Sequence, residues 1–436
     1  MNDQTKVLHL TAHMGGGVGK ALSGLVTQAV RSKSKFRHTI VCLEKPDKSQ
    51  FIDQVKAVGG EVIVCPNRSQ LTKLIATTDI VQLEWWNHPA TIGSLCSTPL
   101  PPMRLVIWCH VSGLHLPRIP MRLINAADRA MFTSPCSLEE AGISFARFQT
   151  PERFSVVHSC GGFDGLPLPS PHAEPGIRAG YIGSLNFAKL HPQYVQFLTA
   201  VNLPDFRVKI IGDETNRDIL EQQCVAAGRP GMLDFRGYTN DIARELSALN
   251  VITHILNPEH YGTTENALLE AMAMGVVPVV LDNPAERHII NHLETGLVVH
   301  SPREVSDAFT WLADHPDDHR RIGQNASRFV RRKFALSRTY SGLTANYASV
   351  LGIPKHRISF TDIFGTVPAD WFLANQSNPE FFTDDMTPNA INVLSLPGLL
   401  ERTKGSVFHF QAHFPDDHRL QCWASKLHTI ESCGMR

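Results

Sequence analysis

Apolar residues along this chain gather into short runs of strand length, and most of the stretches between them repeat apolar positions at helical spacing. In the first part the runs fall at 7–10, 39–43, 61–65, 80–83, 104–109, 130–133 and 155–157. In the second they fall at 179–182, 207–211, 233–236, 251–256, 276–281 and 297–299. Strands that alternate with helices predict parallel sheets covered on both faces, so the expected class is α/β, with two Rossmann-like, doubly wound domains facing a cleft. Between the two sets, 165–176 (GLPLPSPHAEPG) holds four prolines and no periodicity, as a linker would. The expected division is a first domain at 1–164, a linker at 165–176, a second domain at 177–335, a helix at 336–351 and an extension at 352–436.

Within the second domain, the stretch 257–281 (NPEHYGTTENALLEAMAMGVVPVVL) reads in turn as loop, short helix, glycine stop and buried strand. Ala267, Leu268, Ala271 and Met272 recur on one helical face, while Asn266 and Glu270 fall on another. Thr263 or Thr264 is the expected cap and Gly275 the expected stop. Glu265 is expected in the first helical turn, where a carboxylate gains about 0.3–1 kcal/mol from the helix dipole. The loop at 257–264 then lies at the carboxyl ends of parallel strands and feeds a helix N-terminus, where open α/β sheets bind ligands and backbone N–H groups favour phosphate.

Length and composition narrow the class. A chain of 436 residues with 41 basic and 41 acidic side chains has room for two to three domains, and its balanced charge without like-charge runs gives no sign of a nucleic-acid partner. The first residues lack a basic segment followed by an apolar one, and no uncharged apolar run reaches membrane-spanning length, so a cytoplasmic chain is expected. Nine cysteines without a C-x-x-C pair argue against a disulfide framework and against a thiolate zinc site.

Three further segments carry candidate chemistry. After the first run comes HMGGGVGKAL, where Gly16 and Gly17 let the backbone approach a bound group just ahead of a helix. An ATPase phosphate loop would need glycine where Met14 stands and a hydroxyl where Ala21 stands. His110 directly follows the run 104–109, where it can donate a hydrogen bond to a sugar hydroxyl. After the run 179–182, Ser184 and Lys189 stand in a strand-to-helix loop. In the tail, His409, His413 and His418 lack the H-E-x-x-H spacing of a zinc helix, so a polar surface is expected there and no metal site.

ENALLEAMAMGVVPVV resembles the nucleotide-sugar helix of retaining glycosyltransferases of family 4, which have the GT-B fold, and the resemblance extends over about residues 6–350. It implies that Glu270 binds the nucleotide ribose, that Lys189 neutralises the leaving pyrophosphate, that His110 lines the sugar pocket, and that Gly16 and Gly17 face the pyrophosphate. The last helix of such enzymes crosses back to the first domain. Two positions depart from the pattern: Ser184 stands where an arginine is usual, and Gly262 where a second glutamate is usual. Glu259 is the expected substitute for that glutamate, with Gly262, Thr263, Thr264, Glu265 and Asn266 lining the donor loop. The implied activity is retaining transfer of a sugar from a nucleotide diphosphate sugar to a hydroxyl of a sugar, lipid-linked or other glycan acceptor, in polysaccharide or glycoconjugate synthesis. It needs no metal and no cofactor beyond the donor, and it is compatible with peripheral membrane association. The alternative is a GT-B module that binds a glycan or nucleotide without transfer, as the changes at Ser184 and Gly262 would allow.

Overall fold

In a computed structural model, residues 4–170, 176–377, 379–382 and 399–432 are described. The chain divides into two compact units, Met1–Gly162 with Leu336–Arg436, and Phe163–Ala335. Unit 1 is built on seven parallel strands: β1 (Thr5–Thr11), β2 (Phe36–Cys42), β3 (Glu61–Val64), β4 (Ile80–Trp85), β5 (Leu105–Cys109), β6 (Arg129–Phe132) and β7 (Phe154–Val156). Their order is β3-β2-β1-β4-β5-β6-β7, so the chain reverses direction across the sheet between β3 and β4, and loops gather at the carboxyl ends of β1, β4 and β5. All six residues of β4 are buried, including Gln82 and Glu84, so two polar side chains lie inside a strand that is otherwise core.

Unit 2 carries six parallel strands: β8 (Ala179–Gly183), β9 (Val208–Gly212), β10 (Leu233–Gly237), β11 (Val251–His254), β12 (Val277–Leu281) and β13 (Leu297–Val299), in the order β10-β9-β8-β11-β12-β13. Every strand expected from the apolar runs is present, with ends shifted by at most three residues. The helix at the centre of the sequence pattern spans Asn266–Ala273, and Gly275 follows it at φ +84°, the left-handed conformation expected of the stop. Ser327 Oγ and Arg331 Nε donate to Ala273 O at 2.7 and 3.1 Å and so satisfy the last carbonyl of that helix.

Two boundaries differ from expectation. The stretch before residue 171 is held to unit 2, because Arg331 donates to the carbonyls of Leu166 and Pro167 at 2.9 Å each. The extension belongs to unit 1. After helix Leu336–Val350, whose Tyr347 hydroxyl donates to Gln82 Oε1 at 2.6 Å, the chain forms helices Phe360–Phe364, Pro368–Leu373, Val407–His413 and His418–Ser432. Phe364 stacks on Trp85 with ring centres 5.5 Å apart, and Phe372, Phe410 and Trp423 are buried together. Aromatic burial of this size makes the extension part of one core. Its sequence had concealed this, because the apolar positions are spread over short helices with no sustained period.

Candidate functional site

The arrangement of polar side chains in unit 2 starts from backbone pairing. Leu190 bridges Leu256, and Asn257 N–H donates to Lys189 O at 2.8 Å, so the loop after β8 lies against the loop after β11. This pairing delivers the Lys189 ammonium to Glu265, with Nζ 2.9 Å from Oε2. His254 Nε2 stands 3.7 Å from the same carboxylate, a charge contact longer than a hydrogen bond. Burial alone would raise the Glu265 carboxyl, but Lys189, and after it His254 and His260, hold it well below the carboxylate range. Burial alone would lower Lys189, and Glu265 outweighs that, so the ammonium is held above its ordinary range. Beside the pair, His260 Nδ1 accepts Gly262 N–H at 3.0 Å and its Nε2 lies 3.2 Å from Glu286.

Gly262 explains why Glu265 is turned inward. A Cβ built on Gly262 would lie 1.9 Å from Glu265 Oε1 and 2.7 Å from His260 Nδ1. The Glu265 carboxylate therefore fills the space into which a side chain at 262 would point, and it is 5% exposed. Expectation is corrected here on two counts: Glu265 is the residue before the helix, not in its first turn, so it stands at the cap position expected of Thr263 or Thr264, and its side chain makes no capping hydrogen bond. Attraction to Lys189 across a buried space decides this, since it exceeds what an exposed helix end offers. Thr263 and Thr264 are buried in the loop, Asn266 is half-buried as the first helical residue, and Glu270 is buried one turn on. Glu259 is exposed, and its backbone N–H donates to Asn257 Oδ1 at 2.9 Å. Ser184 is held locally: its hydroxyl accepts from Asn186 Nδ2 at 2.6 Å and hydrogen-bonds Asp213.

In unit 1, Gly16 and Gly17 are exposed at the start of helix Gly16–Arg31, after β1. Lys20 packs against Gly161, where a Cβ would meet its Cγ and its backbone carbonyl. His110, after β5, has Nε2 2.8 Å from Glu84 Oε2. The other Glu84 oxygen takes His9 Nδ1 at 2.9 Å and Gln82 Nε2 at 2.7 Å. Burial raises the Glu84 carboxyl, but the hydrogen bonds from His110 and His9 outweigh it and keep it ionised. A fully buried carboxylate thus fixes the His110 ring, as an acidic partner does for a working histidine. Sequence reasoning missed Glu84, His9, His254 and Glu286. For the three that lie in strands, Glu84, His9 and His254, the available signal was polar residues at inward positions of runs that otherwise read as continuous core.

Two parallel sheets of this kind, with polar side chains gathered at the carboxyl ends of their strands, define the GT-B class. The solved structure of Anabaena Alr3699/HepE with UDP-glucose superposes with TM-score 0.63 at 16% identity, over 79% of this chain and 100% of that one. S. aureus TarM, as a point mutant with UDP, fondaparinux and α-GlcNAc-glycerol, gives TM-score 0.62 at 10% identity, over 80% and 100%. Residues 169–329 match the family described as glycosyl transferases group 1. The lipopolysaccharide core biosynthesis mannosyltransferase LpcC of Rhizobium leguminosarum bv. viciae is 27% identical over 241 residues, which is 53% of this chain and 65% of that protein, slightly less than two thirds of its length. The family match lies on unit 2. Among the described residues, no helix is long and apolar enough to cross a membrane.

Proposed function

We propose that this protein transfers a sugar from a nucleotide diphosphate sugar to an acceptor hydroxyl with retention of configuration, as family 4 enzymes do. The observation that carries the reading is the ion pair of half-buried Lys189 with buried Glu265 at the carboxyl ends of β8 and β11, next to the N-terminus of helix Asn266–Ala273. Lys189 and the loop amides are placed to stabilise a leaving pyrophosphate, and Glu270 to bind the ribose. Glu265 takes the role toward the donor sugar that was expected of Glu259, because its carboxylate fills the space beside Gly262. His110, oriented by Glu84, donates to or accepts from a sugar hydroxyl.

In the transfer, the acceptor oxygen bonds the anomeric carbon as the bond to the nucleotide phosphate breaks on the same face. The acceptor proton passes to a leaving phosphate oxygen, so no protein base is needed. The acceptor is expected to be a glycan, in keeping with the lipopolysaccharide core named for the Rhizobium relative, and the reaction would serve glycoconjugate or polysaccharide synthesis. No metal takes part in this account, so EDTA should leave turnover unchanged.

The test is ligand-induced thermal stabilisation with UDP-, GDP- and ADP-sugars. One of them at 100 times its Kd should add about 2.7 kcal/mol of stability. A chain that melts identically with all three, at millimolar concentration, does not bind a donor and the reading fails.

A further inference from the structure

The Glu265 carboxylate stands between two basic side chains. Lys189 Nζ holds its Oε2 at 2.9 Å, and His254 Nε2 lies 3.7 Å from the same oxygen, about 0.8 Å beyond a hydrogen bond. His254, the last residue of β11, is fully buried, and neither of its ring nitrogens has a hydrogen-bond partner among the described residues. Leaving a buried ring N–H unpaired is costly, so its surroundings point to the partner it is built for. Nε2 faces Glu265 Oε2 and, at 3.9 Å, Glu286 Oε1, which is likewise buried without a hydrogen-bond partner among the described residues. Two facing acceptors place the ring proton on Nε2. The ring itself is held: Tyr181 lies 25° from parallel to it with centres 6.3 Å apart, and the Tyr181 hydroxyl donates to Ser184 O at 2.8 Å.

Of the two carboxylates, Glu286 is the fixed one. Its Oε2 lies 3.2 Å from His260 Nε2, and His260 Nδ1 accepts Gly262 N–H at 3.0 Å, so the His260 proton sits on Nε2 and is given to Glu286. The backbone carbonyl of Glu286 accepts from Ile289 and Ile290 at 2.9 and 2.8 Å. Glu265 has more freedom, because it precedes helix Asn266–Ala273, makes no capping hydrogen bond, and meets no side chain at Gly262.

Lys189 is the partner that a ligand can draw off. Its side chain is 20% exposed against 5% for Glu265, so an anion reaches the ammonium first. A diphosphate carries more negative charge than one carboxylate and offers several oxygens to the same ammonium, so it competes for Lys189. A carboxylate released with no other donor would be a buried, unpaired charge. The N–H of His254 Nε2 is the donor within reach.

We propose that His254 is the positioning residue for Glu265: as the donor diphosphate takes Lys189, the carboxylate moves about 1 Å to accept the His254 N–H. Glu265 and the diphosphate thus compete for one ammonium, and His254 makes the exchange possible. The proposal rests on the transfer reading for the identity of the ligand as a nucleotide diphosphate.

The experiment is calorimetric titration of the full chain with UDP, GDP and ADP, each compared with its nucleoside, which lacks the groups that address Lys189. To Glu265→Gln the tightest of the three diphosphates should bind about tenfold or more tighter than to wild type, because the ammonium is no longer shared, with nucleoside affinity unchanged. To His254→Phe it should bind about tenfold or more weaker, again with the nucleoside unchanged, and His254→Gln, which keeps an N–H, should recover part of the loss. Combined with Glu265→Gln, the His254→Phe effect should vanish. A histidine that merely packs would weaken both ligands, in either background. Diphosphate affinity that does not rise in Glu265→Gln, or a His254→Phe effect of equal size with and without Glu265→Gln, overturns the proposal. Should Glu265→Gln not fold, His254→Phe and His254→Gln decide alone: equal diphosphate affinity in the two, or nucleoside affinity lost alongside, overturns it. Failure of the transfer reading is distinguishable, because it appears as donor sugars that bind without turnover while the titrations still follow Glu265 and His254. A chain that binds none of the three diphosphates overturns both.

Discussion

Glu265→Gln is expected to lower kcat/KM by roughly 10- to 150-fold or more, the effect of losing a charged hydrogen bond of about 1.5–3 kcal/mol. It should also destabilise unit 2. The amide leaves the half-buried Lys189 ammonium without its counter-charge, and breaking a buried pair by removing one partner costs up to about 3–5 kcal/mol. For a unit of this size that is a fall of about 10 °C or more in melting temperature. Glu259→Gln is the control: the side chain is exposed, so turnover and melting should both stay within error of wild type. Steady-state kinetics and calorimetry on the two variants check it. Loss of turnover in Glu259→Gln with Glu265→Gln active would return the sugar-binding role to Glu259.

Lys189→Met should lose as much activity and, in addition, reverse a pH dependence. In wild type the Glu265 carboxyl is held below its unfolded value, so its contribution to stability is present above about pH 4.5 and is lost as pH falls below that. Lys189 is held above its unfolded value, so its contribution is present below about pH 10.4 and is lost only as pH rises further. The pair is therefore intact across the neutral range. Without Lys189, burial dominates at Glu265 and raises its carboxyl, so folding favours the protonated form. The destabilisation of Lys189→Met relative to wild type should accordingly be largest near pH 7 and shrink as pH falls toward 4.5. Paired melts at several pH values measure this. Adding Glu265→Gln to Lys189→Met should restore much of the stability at pH 7 while activity stays lost, because the remaining buried groups are uncharged.

How much of this was legible in the sequence depends on the kind of residue. The strands were readable because buried parallel strands are continuous apolar runs, and the helix at 266–273 because ALLEAMA repeats at helical spacing before Gly275. Lys189, Glu270 and His110 were legible as polar residues just past strand ends or on a polar helix face. The Lys189–Glu265 contact was not, because it depends on the space left by Gly262 and on a lysine 76 positions earlier, brought close by the Leu190–Leu256 bridge. Glu84 reads as a strand residue, and only its contacts with His9, Gln82 and His110 reveal why a carboxylate is tolerated at full burial.

The most direct test of the central claim is proton NMR of the anomeric region during turnover. The wild-type chain, incubated with the nucleotide sugar that stabilises it most and with glycan acceptors, should release nucleoside diphosphate. It should also place on an acceptor a sugar whose first-formed anomeric signal has the donor's configuration. An inverted anomer would contradict the retaining mechanism, and an intact donor in the presence of every acceptor would contradict transfer itself.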